Sequence, residues 1–348
     1  MKMMRTFIIN QDGTTEIREV PRPQINSRQA LVRMIANGMC GTDVKLLHRT
    51  FKGFPKEVYP IMLGHEGVGE VVETGSDVRG YKIGDKVLLP FVDPDEELYP
   101  GLGSGWGAMS EYGVVWDKEA VYEDGMEAPD CAYAQTVIDP SLDPVDAAML
   151  VTFREVLSSI RYFGIRKDDS IVVFGCGPVG LSYIKFLSLV GVKEIIAVDI
   201  FADKLEMAKE KGATRVFNSK ECDLAKEIRT IYPQGVDFVL DAVGSPFIVN
   251  QAMALIKDRA KILCYGVPEK EEITLDFSKA DYNFQLIYQQ MPRKREEGEA
   301  TDQVMEWIRE GKLNIKDFIS DYFKYEDSVE AFEKLLDRKI TKKGIIVF

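Results

Sequence analysis

The chain has 348 residues, about twice the usual single-domain length, so two domains with a sizeable core in each are expected. Its composition, 45% hydrophobic and 29% charged, is that of an ordinary globular protein. A net charge of −12 argues against nucleic acid or an anionic membrane surface as partner, because no excess of Lys and Arg is available to displace counterions from phosphates.

The N-terminal run MKMMRTFIINQDGTTEI turns polar after about three apolar residues, too few for a secretory core. No later stretch approaches about 18 consecutive apolar residues. A soluble, cytoplasmic protein is the expectation. Residues 30–38 (ALVRMIANG), 66–75 (EGVGEVVETG), 84–90 (GDKVLLP) and 110–116 (SEYGVVW) are β-rich runs punctuated by Gly, Asp and Pro. Near residue 144 the period changes to helical, with Asp-Pro as a start signal, and a helix leads into a second domain.

From Ser170 strands and helices alternate: SIVVFG, a helix over about 179–190, EIIAVDI, ADKLEMAKEKG, RVFN, LAKEIRTIY, VDFVLDAV, FIVNQAMALI and AKILCYG. Continuous apolar strands separated by amphipathic helices predict a parallel sheet covered on both faces. After about residue 291 come two more helices, DQVMEWIREGK and DSVEAFEKLLDRK, and a final strand, GIIVF. The five cysteines, Cys40, Cys131, Cys176, Cys222 and Cys264, are far apart, which indicates neither a disulfide framework nor a zinc knuckle.

In VVFGCGPVGL, Gly175, Gly177 and Gly180 follow a strand and open a helix, and the next strand ends in Asp199. Glycines at this spacing allow a tight turn, close approach of backbone to a pyrophosphate and close helix packing, while the helix N-terminus offers oriented N–H groups. Strand, helix and an acidic residue about 20 positions on are the context of a Rossmann dinucleotide site. Pro178 and Val179 complete its first turn. Asp199 suits the adenosine ribose hydroxyls and repels a 2′-phosphate, so NAD is expected over NADP. Lys204 either reaches the ribose edge or is a solvated helix lysine.

MCGTDVKLLH at 39–48 and GHEGVGEVVETGSDVRGYKIGDKV at 64–87, ahead of G-x-G-P-V-G, resemble the zinc-dependent medium-chain alcohol and polyol dehydrogenases. The resemblance covers the whole chain. It implies an α/β fold with a β-rich GroES-like catalytic domain over residues 1–154, to which a tail at 292–348 returns, and a doubly wound Rossmann domain over 155–291. It also implies one catalytic zinc and NAD as cofactors, a small alcohol, polyol or sugar as substrate, and a homo-oligomer, dimer or tetramer.

By the same resemblance Cys40 and His65 are zinc ligands, Glu66 is a ligand or an exchanging carboxylate, and Asp43 orients the histidine. The family's third ligand falls at Val151, which cannot bind metal; Glu155, one helical turn on, either substitutes, or the site relies on Cys40, His65, Glu66 and water. Glu155 pairing with Arg154 or Arg161 is the structural alternative. The segment FVDPDEELYPGLGSGWGAM lacks the four cysteines with which many relatives hold a structural zinc. Thr42 falls where the family relays the alcohol proton, and Lys45 stands where a relay histidine is frequent, with His48 three residues on.

Lys45, His48, Arg49 and Lys52, with PRKRE at 292–296, are either an attraction for an anionic substrate or solvated charge. Trp106, Tyr112, Tyr288, Gln289 and Gln290 are candidates for lining the substrate pocket. A zinc-free reductase resembling the quinone reductases and a non-catalytic NAD-binding protein are the competing readings, and quinone reductases have no need of Cys40 together with His65 and Glu66.

Overall fold

The computed structural model describes residues 2–123, 125–268 and 272–348. The chain divides into two compact units, Met1–Arg154 with Arg293–Phe348, and Glu155–Pro292. Among the described residues no helix is long and apolar enough to cross a membrane.

The first unit carries strands β1 (Met3–Ile9), β2 (Thr15–Pro21), β3 (Gln29–Gly38), β4 (Ile61–Met62), β5 (Gly67–Thr74), β6 (Lys86–Leu88), β7 (Gly103–Ser104) and β8 (Tyr112–Trp116), with helices α1 (Gly41–Leu47) and α2 (Lys118–Glu123). Helix α3 (Met149–Phe163) leads into the second unit. The four runs read as β-rich contain β3, β5, β6 and β8. Ala30, Val32, Val71, Val87 and Val115 from these strands form one buried cluster, and each enclosed valine stabilises by roughly 1.5–3 kcal/mol relative to exposure. The hairpin β1–β2, which the apolar pattern did not announce, pairs Met3 with Pro21 through Ile9 with Thr15; most of β2 is only half-buried, so its sequence carries little alternation.

The second unit holds β9 (Ser170–Phe174), α4 (Pro178–Leu189), β10 (Glu194–Asp199), α5 (Ala202–Lys211), β11 (Arg215–Asn218), α6 (Leu224–Ile231), β12 (Val236–Asp241), α7 (Pro246–Met253), β13 (Ile256–Cys264) and β14 (Phe284–Tyr288). All six strands are parallel, in the order β11-β10-β9-β12-β13-β14. Strand order reverses between β9 and β12, the position where doubly wound sheets open a crevice at their carboxyl ends. The apolar run at 247–256 ends as a helix at Met253, because Ile256 pairs with Val236 and is drawn into β13. Edge strand β14 is half-exposed, which is why FQLIY does not read as a buried strand.

The tail contributes α8 (Lys294–Arg309), β15 (Ile319–Lys324), α9 (Ser328–Leu336) and β16 (Lys343–Val347). Antiparallel pairing of Ile345 with Gly38 and Val347 with Ala36 builds β16 into the first unit's sheet, order β15-β16-β3-β5-β6.

Candidate metal centre and dinucleotide site

Cys40 ends the loop after β3 and caps α1, where its N–H donates to Asp43 Oδ2 at 2.8 Å. His65 and Glu66 lead into β5. The turn before them needs Gly64: its φ is +103°, and a Cβ there would stand 2.6 Å from Met109. Asp43, fully buried, places Oδ1 3.3 Å from His65 Nδ1, so Nε2 is the ring nitrogen that could face a metal. The Sγ of Cys40, a ring nitrogen of His65 and a carboxylate oxygen of Glu66 lie within 4.8 Å of one another. Thiolate, imidazole and carboxylate are the donor types of catalytic zinc, and three protein donors leave one tetrahedral position open. Burial pulls the His65 proton affinity down, but Asp43 and the Cys40 sulfur outweigh it and hold it well above the ordinary value. The negative neighbours Asp43 and Cys40 would likewise offset the charge of a divalent cation, which binds the imidazole in place of its proton.

Glu66 has partners that the sequence did not suggest. Its N–H donates to Asn37 Oδ1 at 3.2 Å, and a Cβ on Gly38 would fall 2.2 Å from Oε2, so the glycine ending β3 makes room for the carboxylate. Thr152 Oγ1 donates to Oε1 at 3.2 Å, and Lys343 Nζ donates to both oxygens. Lys343 lies 277 positions away, and only the strand order β16-β3-β5 joins the two.

Around this group Thr42 is half-buried in the first turn of α1, Lys45 is half-buried one turn on, and His48 is exposed at the helix end. Trp106 stands with its ring centroid 5.4 Å from His65, 6.1 Å from Phe51 and 5.6 Å from Phe54. The two phenylalanines were not singled out from the sequence. Of the other pocket candidates, Tyr112 packs under the Arg22 guanidinium at 5.1 Å and against the core of the N-terminal sheet, Tyr288 is exposed, and Gln290 donates to the Gly266 carbonyl at 3.1 Å. Three of the basic residues have local structural roles: Arg49 donates to the Gln11 carbonyl at 2.7 Å, Lys294 binds Glu297 at 2.8 Å, and Arg295 lies 4.4 Å over the Tyr133 ring.

In the second unit Gly175 has φ +91°, and a Cβ on Gly180 would meet the Gly175 carbonyl oxygen at 1.7 Å, so no larger residue fits at Gly180. Gly177 caps α4, Pro178 and Val179 form its first turn, and no atom lies within 4 Å of a Cβ built at Gly177. That open space over a helix N-terminus fits a pyrophosphate. Asp199, at the carboxyl end of β10, accepts the N–H of Cys176 at 2.7 Å on Oδ2 and those of Ile200 at 2.7 Å and Phe201 at 3.1 Å on Oδ1. These bonds fix its carboxylate beside the glycine turn. Lys204 places Nζ 5.4 Å over the Phe201 ring. Glu155, half-buried on α3, accepts the Tyr265 hydroxyl at 3.4 Å, and Tyr265 meets Tyr183 of α4 edge-on at 5.2 Å.

Residues 178–296 match the family of zinc-binding dehydrogenases, and residues 26–124 match the GroES-like domain of alcohol dehydrogenases. The chain is 26% identical to sorbitol dehydrogenase of Bacillus subtilis over 99% of its own length and 97% of that enzyme. It is 30% identical to (R,R)-butanediol dehydrogenase of the same organism over 68% of its length and 70% of that enzyme. The crystal structure of benzyl alcohol dehydrogenase from Acinetobacter calcoaceticus superimposes with a TM-score of 0.82 at 21% identity, covering 100% of both chains, which speaks to the fold. Matches in both halves, with a relative this similar over two thirds of its length, show that the chain belongs to the zinc-dependent medium-chain alcohol and polyol dehydrogenases.

Proposed function

We propose that the chain uses one catalytic zinc, held by Cys40, His65 and Glu66, to move a hydride between NAD(H) and a secondary alcohol or polyol. The observation that carries this reading is the convergence of three ligand atoms within 4.8 Å on the Cys40 and His65–Glu66 turns. Zinc bound there supplies Lewis acidity toward the substrate oxygen. The rest is done by the chain. Asp43 holds the His65 ring, and Lys343 and Thr152 set the Glu66 carboxylate. Thr42 relays the proton given up by the alcohol, its hydroxyl accepting that proton as it passes its own outward, and Lys45, or His48 at the end of α1 in its place, stands next on the way to solvent. Gly175, Gly177, Pro178, Val179 and Gly180 seat the pyrophosphate, and Asp199 receives the ribose hydroxyls and disfavours NADP; Lys204, drawn to Phe201, has a secondary part.

Metal analysis of the freshly purified protein tests this reading. One zinc per chain is expected, and Cys40→Ser should lose both zinc and turnover. A protein that carries no zinc, or two per chain, would overturn it.

A further inference from the structure

Across residues 149–160 helix α3 is enclosed, and Glu155 alone is half-buried while every other residue is buried. Glu155 is therefore the one residue of this stretch that keeps an intermediate share of its surface open to solvent. Tyr265, whose hydroxyl it accepts at 3.4 Å, directly follows the last residue of β13, and the Tyr265 ring contacts Tyr183 of α4 at 5.2 Å. Glu155 thus lies by the carboxyl end of β13, next to a residue that packs on the helix beginning with the glycine turn.

Sheet order decides which half of a dinucleotide reaches it. The pyrophosphate belongs at the N-terminus of α4, and the two nucleosides spread to either side of the switch point between β9 and β12. Asp199 at the end of β10 marks the adenosine side. Tyr265 and Glu155 lie on the opposite side, with β13, where the nicotinamide half belongs. The nicotinamide is a cation when oxidised and neutral when reduced, so a carboxylate beside it distinguishes the two forms by charge.

We infer that Glu155 acts as a selector of the cofactor's redox state, its carboxylate retaining the oxidised, cationic nicotinamide in preference to the reduced form. The inference rests on the dinucleotide reading of this unit. It gives Glu155 a role that needs no bond to metal, and it suits an enzyme that holds NAD and releases NADH during alcohol oxidation.

The test is direct titration of the zinc-loaded protein with NAD, NADH and ADP-ribose, which lacks the nicotinamide, together with its zinc content. In Glu155→Gln the affinity for NAD should fall on the order of tenfold, as loss of one partly hydrated charge pair predicts. NADH and ADP-ribose should change by less than about twofold on the same scale, because neither puts a cation there. Zinc content should be unchanged. Glu155→Asp should recover part of the NAD affinity, and Tyr265→Phe, which keeps the carboxylate, should preserve the NAD to NADH preference. Equal weakening of NAD and NADH, no change in either, or loss of zinc from Glu155→Gln would overturn the inference. Failure of the unsubstituted protein to bind ADP-ribose is a different result, and it would remove the dinucleotide reading itself.

Discussion

Lys343 Nζ stands 2.8 and 2.6 Å from the two carboxylate oxygens of Glu66, and these side chains are only 2% and 1% exposed. Taking both charges out of water costs several kcal/mol per ion, which only close, bonded geometry offsets. In the proposed zinc centre Glu66 would lie between two cations, the metal and the ammonium. The ammonium holds the carboxylate in place without metal and would compete with zinc for it.

Replacing Lys343 with Met should leave Glu66 buried with its main counter-charge gone. Urea unfolding in the presence of a chelator should show a loss of about 3–5 kcal/mol, the usual cost of breaking a buried pair. Zinc should return much of that stability, since the metal takes over as partner. A Lys343→Met protein as stable as its parent in chelator would show that the pair has no part in holding the site.

Asp199 accepts one backbone N–H from the glycine turn, that of Cys176, and two from the residues that follow it, Ile200 and Phe201. Asp199→Ser should weaken NAD binding by about 1–3 kcal/mol through loss of charged hydrogen bonds, and should raise the use of NADP relative to NAD. Kinetics with both cofactors check this. A parent enzyme that prefers NADP would invalidate the assigned role.

The parts legible from the sequence were those in which chemistry and local backbone coincide. The glycine turn at Gly175–Gly180 is written in residues that only this geometry requires, and the central strands β9 and β10 of the second unit are continuous apolar runs because both faces are covered. Cys40, His65 and Glu66 could be singled out because each sits in a short turn motif that presents its side chain. Lys343 could not: it is one lysine in ITKKGIIVF, and nothing local says that pairing of β16 with β3 will carry it against Glu66. Phe51 and Phe54 were missed for the same reason, since their meeting with Trp106 depends on how two loops pack. Edge strands β2 and β14 lacked the alternation by which strands are read.

Asp117 sets a pH dependence of stability. It is 2% exposed and accepts the N–H groups of Arg79 at 2.6 Å, Gly80 at 2.8 Å, Glu119 at 3.1 Å and Ala120 at 3.4 Å. Burial pushes its carboxyl up, but the four donors outweigh burial and hold it below the usual carboxylate value. A depressed carboxylate contributes fully above the unfolded value of about 3.9 and loses that contribution as pH falls through the lower folded value. Asp117→Asn should therefore be less stable than its parent at pH 7, with the gap closing below about pH 4. Stability curves that stay parallel down to about pH 2.5 would mean that Asp117 does not supply this slope.

The aromatic wall at the metal centre bears on substrate choice. Phe51, Phe54 and Trp106 are in mutual contact, at 5.8, 6.1 and 5.6 Å between centroids, and Trp106 also meets the His65 ring at 5.4 Å. Trp106 has φ +69°, a left-handed conformation that costs a bulky residue about 1–3 kcal/mol, so the surrounding packing must fix the ring where it is. An apolar surface next to the metal ligands gains by covering an aryl or alkyl substituent and gains little from a hydroxyl-rich chain that must give up its water. Phe54→Ala and Trp106→Ala should each lower kcat/KM for an aryl-substituted secondary alcohol, 1-phenylethanol, by roughly 10- to 100-fold, the equivalent of about 1.5–3 kcal/mol of lost aromatic burial. The value for sorbitol should change much less, and zinc content should stay the same. If both substrates lose equally, the wall acts by positioning His65, and zinc retention in Trp106→Ala would be the first quantity to fall with it; if 1-phenylethanol alone suffers while zinc is kept, the three rings form the substrate-facing surface of the site.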